Sequence, residues 1–459
     1  MAKDTTKNMS EGSPMKLILG FAVPMLMGML FQQVYNLVDT IIVGKYLGVQ
    51  ALAAVGSTGS INFLIIGFCL GICSGFCLPV AQRFGARDYD GMRKYVGNAA
   101  VLSGVIAIIL TVITSLLCYQ ILEWMQTPSD IIKQAYEYIV VIFLGIPVII
   151  LYNILSGFIR SLGDSMTPVI YLVIASFLNI GLDLLFIITF HMGVFGAALA
   201  TVLAQAVSAV LCLIHIVFKF KILHLKREDW IPEEMHMKNL LAMGLPMGLQ
   251  YSITAIGSVI LQASVNPLGS TAVASMTASG KISGFMMCPL DALGSTMATY
   301  GGQNVGAGKL ERLGKGLKSA VILGTIYSAF ALGFVILFGK TLISLFVESD
   351  DASIVTQVID QGYLCLVIGI AFYFFLVLVN TVRFMIQGMG FSSFAMFAGV
   401  AEMIARALVG VVFVPIFGFT AACFAGPAAW IMADMFLVPA YFSCYKKLWR
   451  VMNKDERIS

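Results

Sequence analysis

Leu47-Gly48-Val49-Gln50-Ala51-Leu52-Ala53 returns as Leu268-Gly269-Ser270-Thr271-Ala272-Val273-Ala274, 221 residues further along the chain. Gln82-Arg83-Phe84-Gly85-Ala86 returns at the same offset as Gln303-Asn304-Val305-Gly306-Ala307. Pro24, deep in an apolar run, has its counterpart at Pro246, an offset of 222, and where Tyr152-Asn153 faces Val379-Asn380 the offset is 227. The chain is a duplication, and both copies are apolar almost throughout. Two similar membrane halves can rock against each other about a central site, so a duplicated helical membrane protein reads first as a transporter.

Composition agrees. Of 459 residues, 59% are hydrophobic and 11% charged, with a mean hydropathy of +0.92; soluble domains carry about 25% charged residues. The longest polar stretches are Met1 to Lys16, Lys219 to Asn239 and the tail after Cys444, which leaves no room for a large soluble domain. The net charge of +4 comes from basic residues in loops beside apolar helices. That is a topology signal, not a nucleic-acid one. The first apolar run follows a polar segment and shows no small-residue cleavage site, so it reads as a retained helix. The nine cysteines lie mostly inside apolar runs, without zinc-ligand spacing to histidines, and read as small packing residues. No cofactor is expected.

A spanning helix needs about 20 apolar residues. Twelve candidates occur, at roughly 17–43, 51–80, 95–119, 135–158, 168–190, 194–218, 240–265, 271–300, 316–338, 362–387, 393–415 and 418–444. Gly44 and Gly48, Thr127-Pro128-Ser129-Asp130, Gly163-Asp164-Ser165 before Pro168, Gly193 with Gly196, and Gly418 punctuate them. With the N-terminus inside, 23 Lys and Arg fall on the inner side, among them Lys3, Arg87, Arg160, Lys309, Arg383 and Arg457. Only Lys45, Lys133 and Lys340 fall outside. The positive-inside rule then places both termini in the cytoplasm. The expected fold is an all-α integral membrane protein of twelve transmembrane helices in two pseudo-symmetric six-helix lobes, related by an axis along the membrane normal. Its parts are an N-terminal tail (1–16), an N-lobe (17–218), a cytoplasmic linker (219–239), a C-lobe (240–444) and a C-terminal tail (445–459). Trp230-Ile231-Pro232 among charges suggests a short amphipathic segment at the inner surface.

Ionisable side chains within spans are few: Asp39 and Asp183 in the first half, and Lys281, Asp291, Glu402, Arg406 and Asp434 in the second. Each costs about 2.5–3.5 kcal/mol at a helix centre, so each asks for a reason. Gln32, Tyr35, Asn36 and Asp39 share one helical face, a polar stripe that should line a cavity. Ser176, Asn179 and Asp183 share another, with Asn153 and Thr201 able to add oxygens. Two carboxyls among amides and hydroxyls can share a proton or ligate a small hard cation such as Na⁺. Either way the pair is charged in one state and neutralised in another, which an ion-coupled transporter requires. In the second half Glu402 and Arg406, four apart, can neutralise each other on one face, and Lys281 can line the cavity or approach Glu402. Asp291 and Asp434 have no evident partner in sequence. With 25 Met and 32 Phe, among them Phe285-Met286-Met287, a re-packable binding wall is available.

The ordered set of motifs resembles the multidrug and toxic compound extrusion (MATE) transporters. It runs Pro24, Val38-Asp39-Thr40, Val43-Gly44, Leu47-Gly48, Gln82 with Gly85-Ala86, Arg160-Ser161, Gly163-Asp164, Thr167-Pro168, Asn179 with Asp183, and Gly193 with Gly196-Ala197-Ala198 and Thr201. The resemblance covers the whole chain in order. It implies outward antiport of organic, often cationic compounds driven by inward Na⁺ or H⁺, through a cleft between two six-helix lobes. It also implies an ion site at Asp39, Asn179, Asp183 and Thr201 with Asn153 beside it. One branch of that family carries an acidic residue on the seventh helix; here that helix shows Gln250 and Gln262, so the chain looks closer to the DinF-like branch.

The reading is thus a secondary antiporter for multidrug efflux, not an enzyme: no nucleophile with a base, phosphate loop or metal set occurs. Its partners are small organic substrates and the lipid bilayer, without nucleic acid, and the protein is expected as a monomer in the inner membrane. Gln32, Tyr35, Asn36, Gln250, Lys281, Asn380, Glu402 and Arg406 are its cavity and substrate candidates. A flippase for lipid-linked precursors or polysaccharides, and a major-facilitator-type transporter, are the alternative readings. The second fits poorly, because Gln82-Arg83-Phe84-Gly85-Ala86-Arg87-Asp88 departs from the loop that class uses.

Overall fold

The computed structural model describes residues 7–125, 127–346 and 352–455; Lys3 and Arg457, counted above for topology, lie outside them. Twelve helical rods run through the described residues, one on each expected span. They are α1 Pro14–Leu47, α2 Gly59–Gly85 entered through a short helix Val49–Ser57, and α3 Tyr89–Trp124. Next come α4 Ile132–Leu144 with Ile146–Ser161, α5 Met166–Leu184 with a π-helical end Leu185–Thr189, and α6 Gly193–Lys219. The second set is α7 Glu234–Val265, α8 Ser270–Gly306, α9 Glu311–Ser344, and α10 Ala352–Ala371 with Tyr373–Gly388. It ends with α11 Ser392–Leu408, continued by a π segment Val409–Phe413 and a last turn Val414–Phe417, and α12 Ala425–Asp455 entered through Phe419–Cys423. Among the described residues ten helices are long and apolar enough to cross a membrane singly, and the two parts of α4, bent by 45°, bring the number to eleven. The remaining rod, α8, is 37 residues long but interspersed with Ser, Thr and Gly.

The duplication is written in the backbone as well as in the residues. Positive φ angles occur at Gly48 and Gly269 (86° and 99°), Arg87 and Gly308 (58° and 72°), Gly163 and Gly390 (84° and 94°), and Gly193 and Gly418 (61° and 66°). The offsets are again 221 to 227. A π segment likewise closes or interrupts the last part of the fifth rod in each set, Leu185–Thr189 and Val409–Phe413, five residues each. Each copy therefore turns its corners at the same places.

By internal contacts the chain forms two compact units: Met1–Met9 with Val23–Gly248, and Ser10–Ala22 with Leu249–Ser459. The first turns of α1 thus belong to the second unit, and α7 as far as Gly248 belongs to the first. The changeovers fall beside the matched prolines Pro24 and Pro246.

The first unit holds a large apolar core. Within it α2 meets the start of α7 through two small-residue stripes, Gly71 and Gly75 against Gly244 and Gly248. A Cβ at Gly71 would stand 2.5 Å from the Met247 carbonyl, and one at Gly75 2.5 Å from the Gly244 Cα. Only glycine lets the two backbones approach so closely, a common device where no hydrophobic difference between lipid and protein drives helices together.

The expected linker is docked. Residues Lys221–Leu223 and Arg227–Trp230 form single 3₁₀ turns. Asp229 is buried, accepting from the Lys226 N–H at 2.7 Å. Asn98 of α3 donates to the Ile231 carbonyl (3.3 Å) and accepts from the Glu233 N–H (2.9 Å), while Lys94 pairs with Glu233 at 2.7 Å. That lysine holds the Glu233 carboxyl below its ordinary range. Trp230 and Ile231 stay exposed. The N-terminal tail is also held where it is described. The Lys7 N–H donates to the Leu162 carbonyl (3.1 Å) in the first unit. In the second, the Ser10 and Gly12 carbonyls accept from Lys309 Nζ (3.0 Å) and Arg312 Nη2 (2.9 Å).

Candidate ion and substrate site

Asp164 starts α5. Its Oδ1 accepts the N–H groups of Met166 and Thr167, each at 3.0 Å, and its Oδ2 accepts the Thr167 hydroxyl at 2.7 Å. These bonds satisfy donors that a helix start leaves open. With Gly163 at positive φ, this gives Gly163-Asp164 and Thr167-Pro168 a structural purpose: they fix where α5 begins. Helical spacing then carries Ser176, Asn179 and Asp183 onto one buried face, 7%, 1% and 0% exposed. The π-helical end follows Asp183 at once, a local irregularity often found beside functional side chains.

Across from that face stands α1. The Asp39 and Asp183 carboxyl groups lie within hydrogen-bonding reach of each other. Asp39 Oδ1 and both Asp183 oxygens are enclosed and meet no donor. Two carboxylates cannot hydrogen-bond, so this contact becomes a hydrogen bond only when one of the pair carries a proton. The phenols of Tyr35 and Tyr138 are charge neighbours of both acids. Asn179 Nδ2 points at Thr201 Oγ1 at 3.5 Å, Thr201 donates to the Ala197 carbonyl at 3.1 Å, and Asn179 Oδ1 has no donor. A small cavity of about 20 Å³ lies between Tyr35, Tyr152, Ser176, Asn179, Thr201 and Gln205. It lies wholly within the first unit.

Of the first-half residues expected here, Asp39, Tyr35, Asn179, Asp183 and Thr201 come together. The Asn153 amide donates to the Ile149 carbonyl of its own helix at 2.8 Å. Gln32 and Asn36 are exposed. Tyr138 went unnoticed in the sequence because a tyrosine in an apolar helix carries no local mark of its neighbours.

The second unit holds a different cluster. Glu402 is 3% exposed and Arg383 6%. Arg383 Nη2 bonds Glu402 Oε1 directly, and Arg406 Nη2 reaches Oε2 only at 3.5 Å. This corrects two expectations. Arg383, read as an inner-surface cation, is buried, and it rather than Arg406 is the close partner of Glu402. It also takes the place offered to Lys281, which is exposed. Gln250 is buried and accepts from Gln387 Nε2 at 2.8 Å, and Asn380 donates to Asp291 Oδ1 at 3.0 Å. Asp434 is buried with neither oxygen bonded.

The fold is that of a multi-pass, all-helical membrane protein. The MatE family model matches residues 24–185 and again 246–412, once in each copy, and the chain belongs to the MatE family: it is a transporter and not an enzyme. It is 27% identical over 356 residues to the probable multidrug resistance protein YoeA of Bacillus subtilis, covering 75% of this chain and 76% of that one. It is 27% identical over 350 residues to the multidrug export protein MepA of Staphylococcus saprophyticus, with 75% and 76% covered. A crystal structure of MATE in complex with MaL6 shares the fold with a TM-score of 0.90 at 24% identity, covering 98% of this chain and all of that one. An outward-facing multidrug resistance MATE family transporter of the MOP superfamily does so with a TM-score of 0.88 at 24% identity, covering 98% and 99%.

Proposed function

We propose that this transporter is a proton-driven antiporter that exports organic, cationic and amphipathic compounds from the cell by alternating exposure of its two lobes. Relatives named for multidrug resistance and export support the efflux. The observation that carries the coupling is the apposition of Asp39 and Asp183 in the first unit. A carboxyl pair that close repels itself when both are ionised, so one proton stabilises it and its loss drives the acids apart. Because Asp39 sits on α1 and Asp183 on α5, that repulsion acts between two rods. The protein works as a monomer in the inner membrane with both termini in the cytoplasm.

Na⁺ is the second reading. It is favoured by the unbonded oxygens of Asn179 and Asp183 beside Thr201, a set of hard donors. Dye efflux from proteoliposomes under an imposed pH gradient or an imposed Na⁺ gradient tests both. Efflux that follows Na⁺ and ignores pH refutes the proton reading; efflux that follows neither refutes the antiporter.

A further inference from the structure

The cluster of the second unit has one acid too many. Arg383 is surrounded by three carboxyls: it bonds Glu402, and Asp291 and Asp434 both feel its charge. Arg406 adds a second guanidinium on the far side of Glu402. Three acids therefore meet two bases, and among the described residues no further cation takes part in the cluster's bonds. The donors are divided unequally. Glu402 receives both guanidiniums and Asp291 receives the Asn380 amide. Asp434 is 6% exposed and both its oxygens are enclosed without a donor. An ionised carboxylate buried in that condition costs several kcal/mol, far more than the neutral acid.

We propose that Asp434 is a second proton-binding site, in the C-terminal half, and that its proton is transported. The neutral acid balances the cluster at two charges of each sign. On release the proton passes to water, leaving a carboxylate beside an unused donor: Arg383, whose charge Asp434 feels, has its Nε enclosed and unbonded. Arg383 then bridges Glu402 through Nη2 and Asp434 through Nε, drawing α10, α11 and α12 together. The acid pair of the first half works by repulsion and this cluster by attraction. This inference rests on the reading of the chain as proton-coupled, and it adds a proton to each cycle.

Two measurements on the full-length protein test it. Infrared spectra of purified wild type at neutral pH are expected to contain a protonated-carboxyl carbonyl band that Asp434→Asn removes and Asp434→Glu shifts. This band is distinct from the one that Asp183→Asn removes. In proteoliposomes the number of protons moved per substrate is expected to fall by one in Asp434→Asn and to stay unchanged in Asp434→Glu. If no band is lost in Asp434→Asn, the acid is ionised and the proposal falls. If the band is lost but the ratio is unchanged, the proton is structural and the transport role falls. If Asp434→Asn does not fold, the band shift and intact ratio in Asp434→Glu decide the matter. A wild type that moves no protons refutes the coupling reading instead, whatever the infrared band of Asp434 shows.

Discussion

Arg383 and Glu402, nineteen residues apart on α10 and α11, form a buried ion pair whose side chains are 7% and 4% exposed. The pair is costly to break and cheap to replace as a whole. Glu402→Gln strands two guanidiniums and should destabilise the protein by about 3–5 kcal/mol, read as earlier thermal unfolding in detergent. Adding Arg383→Gln to it should restore part of the loss, because the uncompensated charge disappears. A double variant less stable than Glu402→Gln would contradict this.

Asp39→Asn should abolish gradient-driven efflux while the protein still inserts and unfolds at the wild-type temperature. Asp183→Asn should make any remaining efflux independent of the gradient. Dye efflux from inverted vesicles, normalised to folded protein, measures both. Near-normal coupled transport by Asp39→Asn would remove the acid pair from the mechanism.

The topology reading is checked by thiol labelling in intact cells. All nine native cysteines are thiols, and all but the half-buried Cys365 are buried, so the background is low. Ser129 and Ser13 are exposed. A membrane-impermeant reagent should label Ser129→Cys from outside and Ser13→Cys only after lysis. External labelling at residue 13 would invert the assignment.

The glycine stripes of the first unit predict a sharp contrast. Gly75→Val pushes a branched side chain into the α7 backbone and should cost about 1–3 kcal/mol or more, as overpacked sites do. Gly104 of α3 has nothing within 4 Å of an added Cβ, so Gly104→Val should leave the unfolding temperature nearly unchanged. Equal effects at the two positions would deny the close approach.

Asp88 gives a pH dependence with a defined sign. Its carboxyl accepts the Gly91 N–H at 2.9 Å at the start of α3 and pairs with Arg83 at 2.8 Å. First the N–H bond and then the guanidinium hold its pKa below the ordinary 3.8. A depressed folded pKa means stabilisation present above the unfolded value and lost as the pH falls through the folded one. The side chain is 38% exposed, so solvent screens the effect to about 0.5–1 kcal/mol. Unfolding temperatures of wild type and Asp88→Asn should differ near neutral pH and converge in acid; a constant gap would show that charge plays no part.

Sequence alone determined what lies along single rods. The duplication, the twelve spans and their corners follow from apolar length and from glycines, and Asn179 with Asp183 follow from helical spacing within α5. The pairing of Asp39 with Asp183 was anticipated because polar stripes are rare in apolar helices, and a rare costly group needs a partner. Tertiary structure decided what lies between rods. In a membrane both the packed and the lipid-facing sides of a helix are apolar, so the pattern that reveals a buried face in a water-soluble helix is missing. Which way a rod is turned about its axis is therefore not written in its own residues. That is why Arg383 read as an inner-surface cation and proved to be the partner of Glu402, why Asn153 stayed on its own helix, and why Tyr138 entered the site unannounced. The linker followed the same logic: Trp230-Ile231-Pro232 among charges suggested a short amphipathic segment at the inner surface, while Ile231 and Glu233 found their partners on α3, which only the folded chain brings within reach.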